Sequence, residues 1–287
     1  MVAGSLSERS PRVSAARRLA KRAFRAADRR FLVEGPQGVT EALRLAEAGE
    51  RTALLELFVT AEAAARHPEL VRRTEALSVP VHRVSGEVMS ALAQTVTPQG
   101  VLGVATFRDM ALPEVASGGP RLVAVLAAVR DPGNAGTVLR AADAAGADAV
   151  VFTDSSVDPY NAKCVRASAG SLFHLPFVVG VPVAATVAAL RSAGVTVLAA
   201  TAAADQDLDE LADDGSLAGP TAWLFGNEAW GLPADVQALA DGSVRVPIHG
   251  KAESLNLAAA AAVCLYASAR AQRQPGGCRV FGRDALS

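Results

Sequence analysis

From Leu122 onward, short and almost continuously apolar runs alternate with helix-like stretches, and this alternation is the strongest constraint on what the chain can fold into. The runs are Leu122–Val129, Ala149–Thr153, Leu175–Val179, Val195–Thr201, Thr221–Phe225 and Val244–Pro247. A strand apolar on both sides needs cover on both sides, and a helix between successive strands supplies the crossover that parallel pairing requires. The pattern therefore predicts an α/β domain with a mostly parallel sheet. Its closing helix, expected over Ser254–Ala271, is apolar on almost every side. One sheet face cannot hide all of it, so part of it is expected to meet a second subunit.

The first part of the chain alternates too, with strands expected at Arg30–Glu34, Leu54–Thr60, Val79–Val84 and Val101–Phe107, and a helix at Ser14–Ala27. Between the two parts, Asp109–Pro120 (DMALPEVASGGP) carries two prolines and paired glycines without periodicity, which reads as a linker. The expected division is a small α/β domain at 1–108, a linker at 109–120, a larger α/β domain at 121–273 and a flexible, polar, glycine-rich tail at 274–287. With 51% apolar residues the chain has ample material for a core, which excludes wholesale disorder.

No apolar run is long enough to span a bilayer, and the first residues lack the pattern of a signal peptide. Cys164, Cys264 and Cys278 show no C-x-x-C spacing, and His67, His82, His174 and His249 are scattered. No disulfide framework and no metal site are expected, and a reducing cytoplasm fits best.

A formal charge of −1 argues against a polyanionic partner until its distribution is considered. Arg9 to Arg30 holds nine basic residues against Asp28 alone, a local charge of +8. A solvated basic helix accounts for this, and so does an RNA-binding surface built on Arg9, Arg12, Arg17, Arg18, Lys21 and Arg22, which would bind phosphates in a salt-dependent way.

Three segments place polar residues at strand ends, where open α/β sheets bind ligands. In RDPGNAGTVLRAADAAGA (Arg130–Ala147) the strand meets a Pro-Gly turn, Asn134 is placed to cap the following helix, and Arg140 lies within it. The segment lacks G-x-G-x-x-G, so an ordinary dinucleotide fold is not supported. In LFGNEAWGLP (Leu224–Pro233) the strand runs into Gly226, Asn227 and Glu228, and a carboxylate behind an apolar strand needs partners. In VRVPIHGKAESLNLAAAAAV (Val244–Val263) Ser254 stands where a cap is expected, with Asn256 in the first turn of an apolar helix.

Taken in this order, the three segments resemble the signature motifs of the SpoU (TrmH-like) family of the SPOUT superfamily, the S-adenosylmethionine-dependent RNA ribose 2′-O-methyltransferases. RASAGSLFHLPF (Arg166–Phe177) also resembles a family segment, and PRVSAARRLAKRAFRAADRRFLVEGPQGVTEAL resembles the start of the small substrate-binding domain, related to a ribosomal-protein fold, that precedes many members. The resemblance implies a deep trefoil knot in the second domain and a homodimer formed through it. It implies S-adenosylmethionine held by the loops carrying Leu224, Gly226, Asn227, Val246, Ile248 and Leu255. It makes Arg140 the proposed catalytic arginine, as base or as electrostatic stabiliser, and gives Asn134, Glu228, Ser254 and Asn256 supporting roles in the same site. Arg166 and Ser171 are expected to face RNA. After Glu228 the chain reads AWG, where the family often has a glycine-rich or charged stretch.

The two-domain form points to 23S ribosomal RNA as substrate, in a housekeeping or an antibiotic-resistance role. Methylation of transfer RNA, and a non-catalytic RNA-binding protein of the same fold, are the alternatives.

Overall fold

The structure, a computed structural model, describes residues 6–273. The expected tail at 274–287, with Cys278, lies outside the described residues.

The first sheet contains β1 (Arg30–Glu34), β2 (Glu56–Thr60), β3 (Val81–Val84) and β4 (Val101–Thr106), in the order β1-β4-β2-β3. β4 runs antiparallel to β1 and β2, and β2 runs parallel to β3. Side chains alternate as a pleat requires: Phe31, Val33, Leu57 and Val59 enter one core, whereas Leu32, Phe58, Leu102 and Val104 enter another beneath the N-terminal helices.

The second sheet contains β5 (Leu122–Leu126), β6 (Ala149–Thr153), β7 (Phe177–Val181), β8 (Thr196–Ala200), β9 (Gln206–Asp207), β10 (Thr221–Phe225) and β11 (Gly242–Arg245). Their order is β7-β6-β5-β10-β8-β11-β9, and each pairing is parallel. One face packs Ala124, Leu126, Phe152, Trp223 and Phe225 against the helices Pro132–Ala145 and Leu257–Arg273. The other packs Val123, Val125, Val151 and Leu224 against Leu112–Ser117 and Val183–Ser192. Double cover is what the unbroken apolar runs require. The last expected strand is displaced to Gly242–Arg245, and the two-residue β9 has no sequence signal.

The strand order reverses at the middle of this sheet. From β5 the chain proceeds outward to β6 and β7, but β10 returns to pair with β5 on its other side. The loops leaving β5 and β10 therefore diverge above a shared crevice, the place where sheets of this kind bind ligands.

One expectation fails where the halves meet. Ser14–Ala27 is not one helix but two, Pro11–Arg18 and Arg22–Asp28, with Lys21 extended between them. The break is stabilised by Arg25, whose Nη1 donates to Leu19 O and Ala20 O at 2.9 Å while its Nε and Nη2 reach Asp158 Oδ2 at 3.1 and 2.6 Å. Arg25 is buried, so it is removed from the +8 surface. Its partner lies far along the chain, beyond any local pattern.

Asp109–Pro120, expected as a linker without periodicity, contains a helix. Leu112–Ser117 is a helix with Leu112 and Val115 buried on the second sheet, and Glu114 accepts from Ala111 N–H at 2.8 Å. Tyr160 fixes its entry: the phenol oxygen accepts from the N–H groups of Arg108 and Asp109 and donates to Asp109 Oδ1 at 2.7 Å. The Tyr160 ring stacks on Phe107 at 3.7 Å and lies 4.8 Å from Phe31, so the two sheets share an aromatic seam.

Candidate active site

The crevice between β5 and β10 is organised by one carboxylate. Glu228 Oε1 accepts from Asp131 N–H and from Asn134 Nδ2, both at 3.2 Å, and Oε2 accepts from Arg130 N–H at 3.3 Å. Glu228 is exposed, so the burial expected of a carboxylate behind an apolar strand does not arise; its partners are donors from the loop after β5. Asn134 can serve because it does not cap its helix, contrary to expectation. Asp131 does: its Oδ1 accepts Asn134 N–H at 2.8 Å, while its Oδ2 receives Lys163 Nζ at 2.8 Å. The Lys163 ammonium, followed by the Asn134 N–H, holds the Asp131 carboxyl below the ordinary range.

The third motif joins the same line. Asn256, not Ser254, caps the closing helix, which starts at Leu257, and Asn256 Oδ1 accepts Ala258 N–H at 2.9 Å. Its Nδ2 then donates to Asn134 Oδ1 at 3.1 Å. Each amide orientation follows from the next: the cap makes the Asn256 nitrogen the free donor, Asn134 must receive it on oxygen, and the Asn134 nitrogen is left to face a carboxylate that only accepts. Ser254 stays exposed on the loop before the cap.

Gly226 and Asn227 shape the wall. A Cβ on Gly226 would overlap the backbone of Gly231 and Leu232, so only glycine lets the turn close against β10. Asn227 and Gly231 exchange two backbone hydrogen bonds at 2.9 Å, with Gly231 at φ +67°. The buried Asn227 side chain donates to Ala128 O at 2.8 Å and accepts from Ala229 N–H at 2.9 Å. Ala128 is left-handed (φ 56°), a strained position for a residue with a Cβ, and this hydrogen bond helps hold it.

Beside this line opens a cavity of about 550 Å³. Gly226, Asn227, Glu228, Val246, Ile248, Ser254, Leu255 and Asn256 all line it. Leu224 does not: its side chain is fully buried in the core on the sheet's other face. Arg140 is exposed on the Pro132–Ala145 helix outside the lining, and no hydrogen bond or ion pair holds its guanidinium among the described residues. The wall also uses Ala200, at the end of β8, and the loop residues Thr201, Ala202 and Ala203 that follow it, which sequence reasoning missed. Their only signal was position at a strand's C-terminal end, because their small side chains advertise no chemistry.

The model of the SpoU rRNA Methylase family matches residues 121–266, the stretch that holds all three parts of this line. Over 236 residues the chain is 35% identical to the 23S rRNA (guanosine(2553)-2′-O)-methyltransferase RlmP of Bacillus subtilis, covering 82% of this chain and 87% of that one. The chain belongs to the SpoU rRNA methylase family.

Other members agree in shape as well as in sequence. An AdoMet-bound rRNA methyltransferase from Sinorhizobium meliloti superposes with a TM-score of 0.79 at 31% identity, over 92% of this chain and 96% of that one. The SpoU methyltransferase AviRb from Streptomyces viridochromogenes, in complex with AdoMet, gives 0.75 at 28% identity over 91% and 98%. Residues 10–103 match the model of the MRM3-like substrate binding domain.

Within this SpoU chain the expected RNA-facing residues divide. Arg9, Arg17, Arg18, Lys21 and Arg22 are exposed, and Arg12 is exposed with Glu56 at 3.4 Å. Arg166 lies 3.1 Å from the buried Glu34 without hydrogen-bond alignment, beside a cavity of about 300 Å³ between the two sheets. Ser171 is buried in a short 3₁₀ turn, so its side chain cannot face RNA as expected.

Among the described residues there is no cluster of His, Cys, Asp or Glu suited to a metal ion, and no helix long and apolar enough to cross a membrane. Cys164 and Cys264 are buried, and burial pushes the Cys264 thiol up to about 12, which makes a nucleophilic role unsuitable.

Proposed function

We propose that this protein transfers the methyl group of S-adenosylmethionine to a ribose 2′-hydroxyl of 23S ribosomal RNA. The observation that carries the reading is the directed line Asn256–Asn134–Glu228, which draws one residue from each family motif to the edge of a cavity large enough for a nucleoside-sized cofactor. The cavity suits that cofactor chemically. Val246, Ile248 and Leu255 give it apolar walls, the glycine at 226 permits close backbone approach, and Glu228 and Asn256 supply polar groups at its edge. When bound, S-adenosylmethionine supplies an electrophilic methyl group on a sulfonium.

The chain's own residues do the rest. The turn at Gly226 and Asn227 and the loop at Val246–Leu255 hold the cofactor, while Glu228, Asn134 and Asn256 keep those loops in register. Arg140 acts by stabilising negative charge on the ribose oxygen as the methyl group bonds to it and the hydroxyl proton leaves to solvent water, or by holding the adjoining phosphate. The exposed arginines and lysine of the N-terminal segment bind the RNA backbone, in a small domain of ribosomal-protein type at 1–108 joined through 109–120 to the catalytic domain at 121–273.

A trefoil knot belongs to the same proposal. What supports it is that β11 lies beyond β8 and the chain then returns to pack Leu257–Arg273 against β5 and β10, an arrangement compatible with a chain that threads through itself. A homodimer is also part of it: Val263 and Tyr266 leave an apolar stripe of that helix 43% and 52% exposed. The expected setting is the cytoplasm, where ribosomal RNA is found.

The test is incubation with S-adenosylmethionine labelled in the methyl group and 23S rRNA, followed by digestion to nucleosides. Label in a 2′-O-methylnucleoside is expected. Cofactor binding by calorimetry without any ribose label would replace the reading with a non-catalytic RNA-binding role, and label found only with transfer RNA would reassign the substrate.

A further inference from the structure

The turn that presents Glu228 to the crevice presents a second residue away from it. Asn227 and Gly231 close a tight loop with two backbone hydrogen bonds, leaving Glu228, Ala229 and Trp230 at its tip. The Glu228 carboxylate accepts from the Arg130 and Asp131 amides, and Trp230 is 52% exposed. The guanidinium of Arg130 lies over the indole, 5.0 Å from the ring centroid. Arg130 makes no ion pair with a carboxylate among the described residues, although Glu228 is bonded to its backbone. A large indole left in water is unfavourable unless something covers it, and an unpaired cation on that ring indicates the kind of molecule that would.

We propose that Trp230 and Arg130 form a stacking platform for a nucleobase of the RNA, next to the ribose that receives the methyl group. This rests on the methyltransferase reading above. A flat aromatic surface joined to a planar cation suits an unpaired base whose neighbouring phosphate is neutralised by the same arginine. The backbone hydrogen bond from Arg130 to Glu228 ties the platform to the edge of the cofactor cavity, so a stacked base would set the position of the adjoining ribose.

The chain holds two tryptophans, which makes the platform directly observable. Trp223 is fully buried with its indole bonded to Ser268 Oγ at 2.9 Å, so ligand-dependent fluorescence reports Trp230. The full-length protein is titrated with a single-stranded hexaribonucleotide containing G and U, and in parallel with an abasic hexaribonucleotide of the same backbone. Quenching by the first and not by the second is expected, and it should vanish in Trp230→Phe. In methylation of 23S rRNA, Trp230→Ala should raise KM for RNA roughly ten-fold with the cofactor Kd unchanged, and Trp230→Phe should restore most of the loss.

Equal quenching by the abasic strand would overturn the proposal, as would full quenching by S-adenosylmethionine alone or by protein concentration alone. An unchanged KM in Trp230→Ala would overturn it too. A wild-type protein that methylates no ribose refutes the reaction instead, and base-dependent quenching still decides the platform.

Discussion

Two polar assemblies hold this molecule in shape, one at the edge of the cavity between β10 and the closing helix and one along the seam between the sheets. At the cavity, Glu228, Asn134 and Asn256 form a partly open line in which water can replace a lost bond. At the seam, Arg25 and Asp158 pair with side chains only 4% and 11% exposed, and Tyr160 is buried among Phe31, Phe107 and Phe177. The first assembly fixes loops that line an open cavity. The second fixes two units that must not part. A change at the cavity should therefore appear in activity more than in stability, and a change at the seam in stability more than in activity.

The sharpest test of that contrast is Arg140→Ala. Arg140 is exposed and bonded to nothing among the described residues, so its removal leaves the fold intact. Turnover should fall by two to three orders of magnitude, the scale of losing one oxyanion-stabilising group. Calorimetry should find cofactor affinity nearly unchanged. Full activity in this variant would remove Arg140 from the mechanism and weaken the claim that the cavity side carries function without carrying stability.

At the seam the order reverses. Arg25→Ala strands Asp158 in a buried site and frees the carbonyls of Leu19 and Ala20, which should cost about 3–5 kcal/mol in urea unfolding. Cofactor binding, measured well below the melting temperature, should stay close to wild type. If cofactor affinity collapses while stability holds, the two assemblies are not separate.

The same contrast explains how much the sequence made legible. The parallel sheet, its strands and the three loop motifs could be read because strand ends and polar residues lie close together along the chain. Arg25 could not be: it is one of nine basic residues in Arg9–Arg30, and only contact with Asp158, 133 positions away, distinguishes it. The caps were misassigned for a related reason. Asn134 and Asn256 are each good caps in isolation, but which of them caps depends on whether Asp131 is free to do so and on which amide Glu228 claims. The stretch Ala200–Ala203 was missed because a wall that works through its backbone and its smallness leaves no chemical mark.

Within the N-terminal segment the contrast can be refined further. Arg17, Arg18 and Arg22 are exposed, and Arg18 lies over Phe24 at 4.1 Å instead of pairing with a carboxylate. Replacing all three by Gln should leave the melting temperature within a few degrees of wild type and weaken RNA binding. The log–log salt slope should shallow by about 0.7 per lost phosphate contact if the RNA is single-stranded. An unchanged slope would make this a solvated face, and would place the RNA surface elsewhere.

The smallest expected effect lies on the seam and depends on pH. His174 faces a carboxylate with each ring nitrogen: Asp143 at 2.9 Å through Nδ1 and Glu41 at 3.2 Å through Nε2, joining the helix Pro132–Ala145 to the helix Pro36–Glu47. Both nitrogens can donate only in the imidazolium. Partial burial disfavours that charge, but the hydrogen bonds to Asp143 and Glu41 outweigh it and raise the pKa above its ordinary 6.5. With the folded value above the unfolded one, the contribution is complete below pH 6.5 and is lost as pH rises through the folded value. His174 is 45% exposed, so water screens the pair and the effect should be small beside that of Arg25. Unfolding midpoints measured from pH 5.5 to 8.5 should decline slightly more in the wild type than in His174→Gln, which cannot gain the charge. Parallel pH profiles for the two proteins would mean that the seam is held by its buried pair and aromatic packing alone.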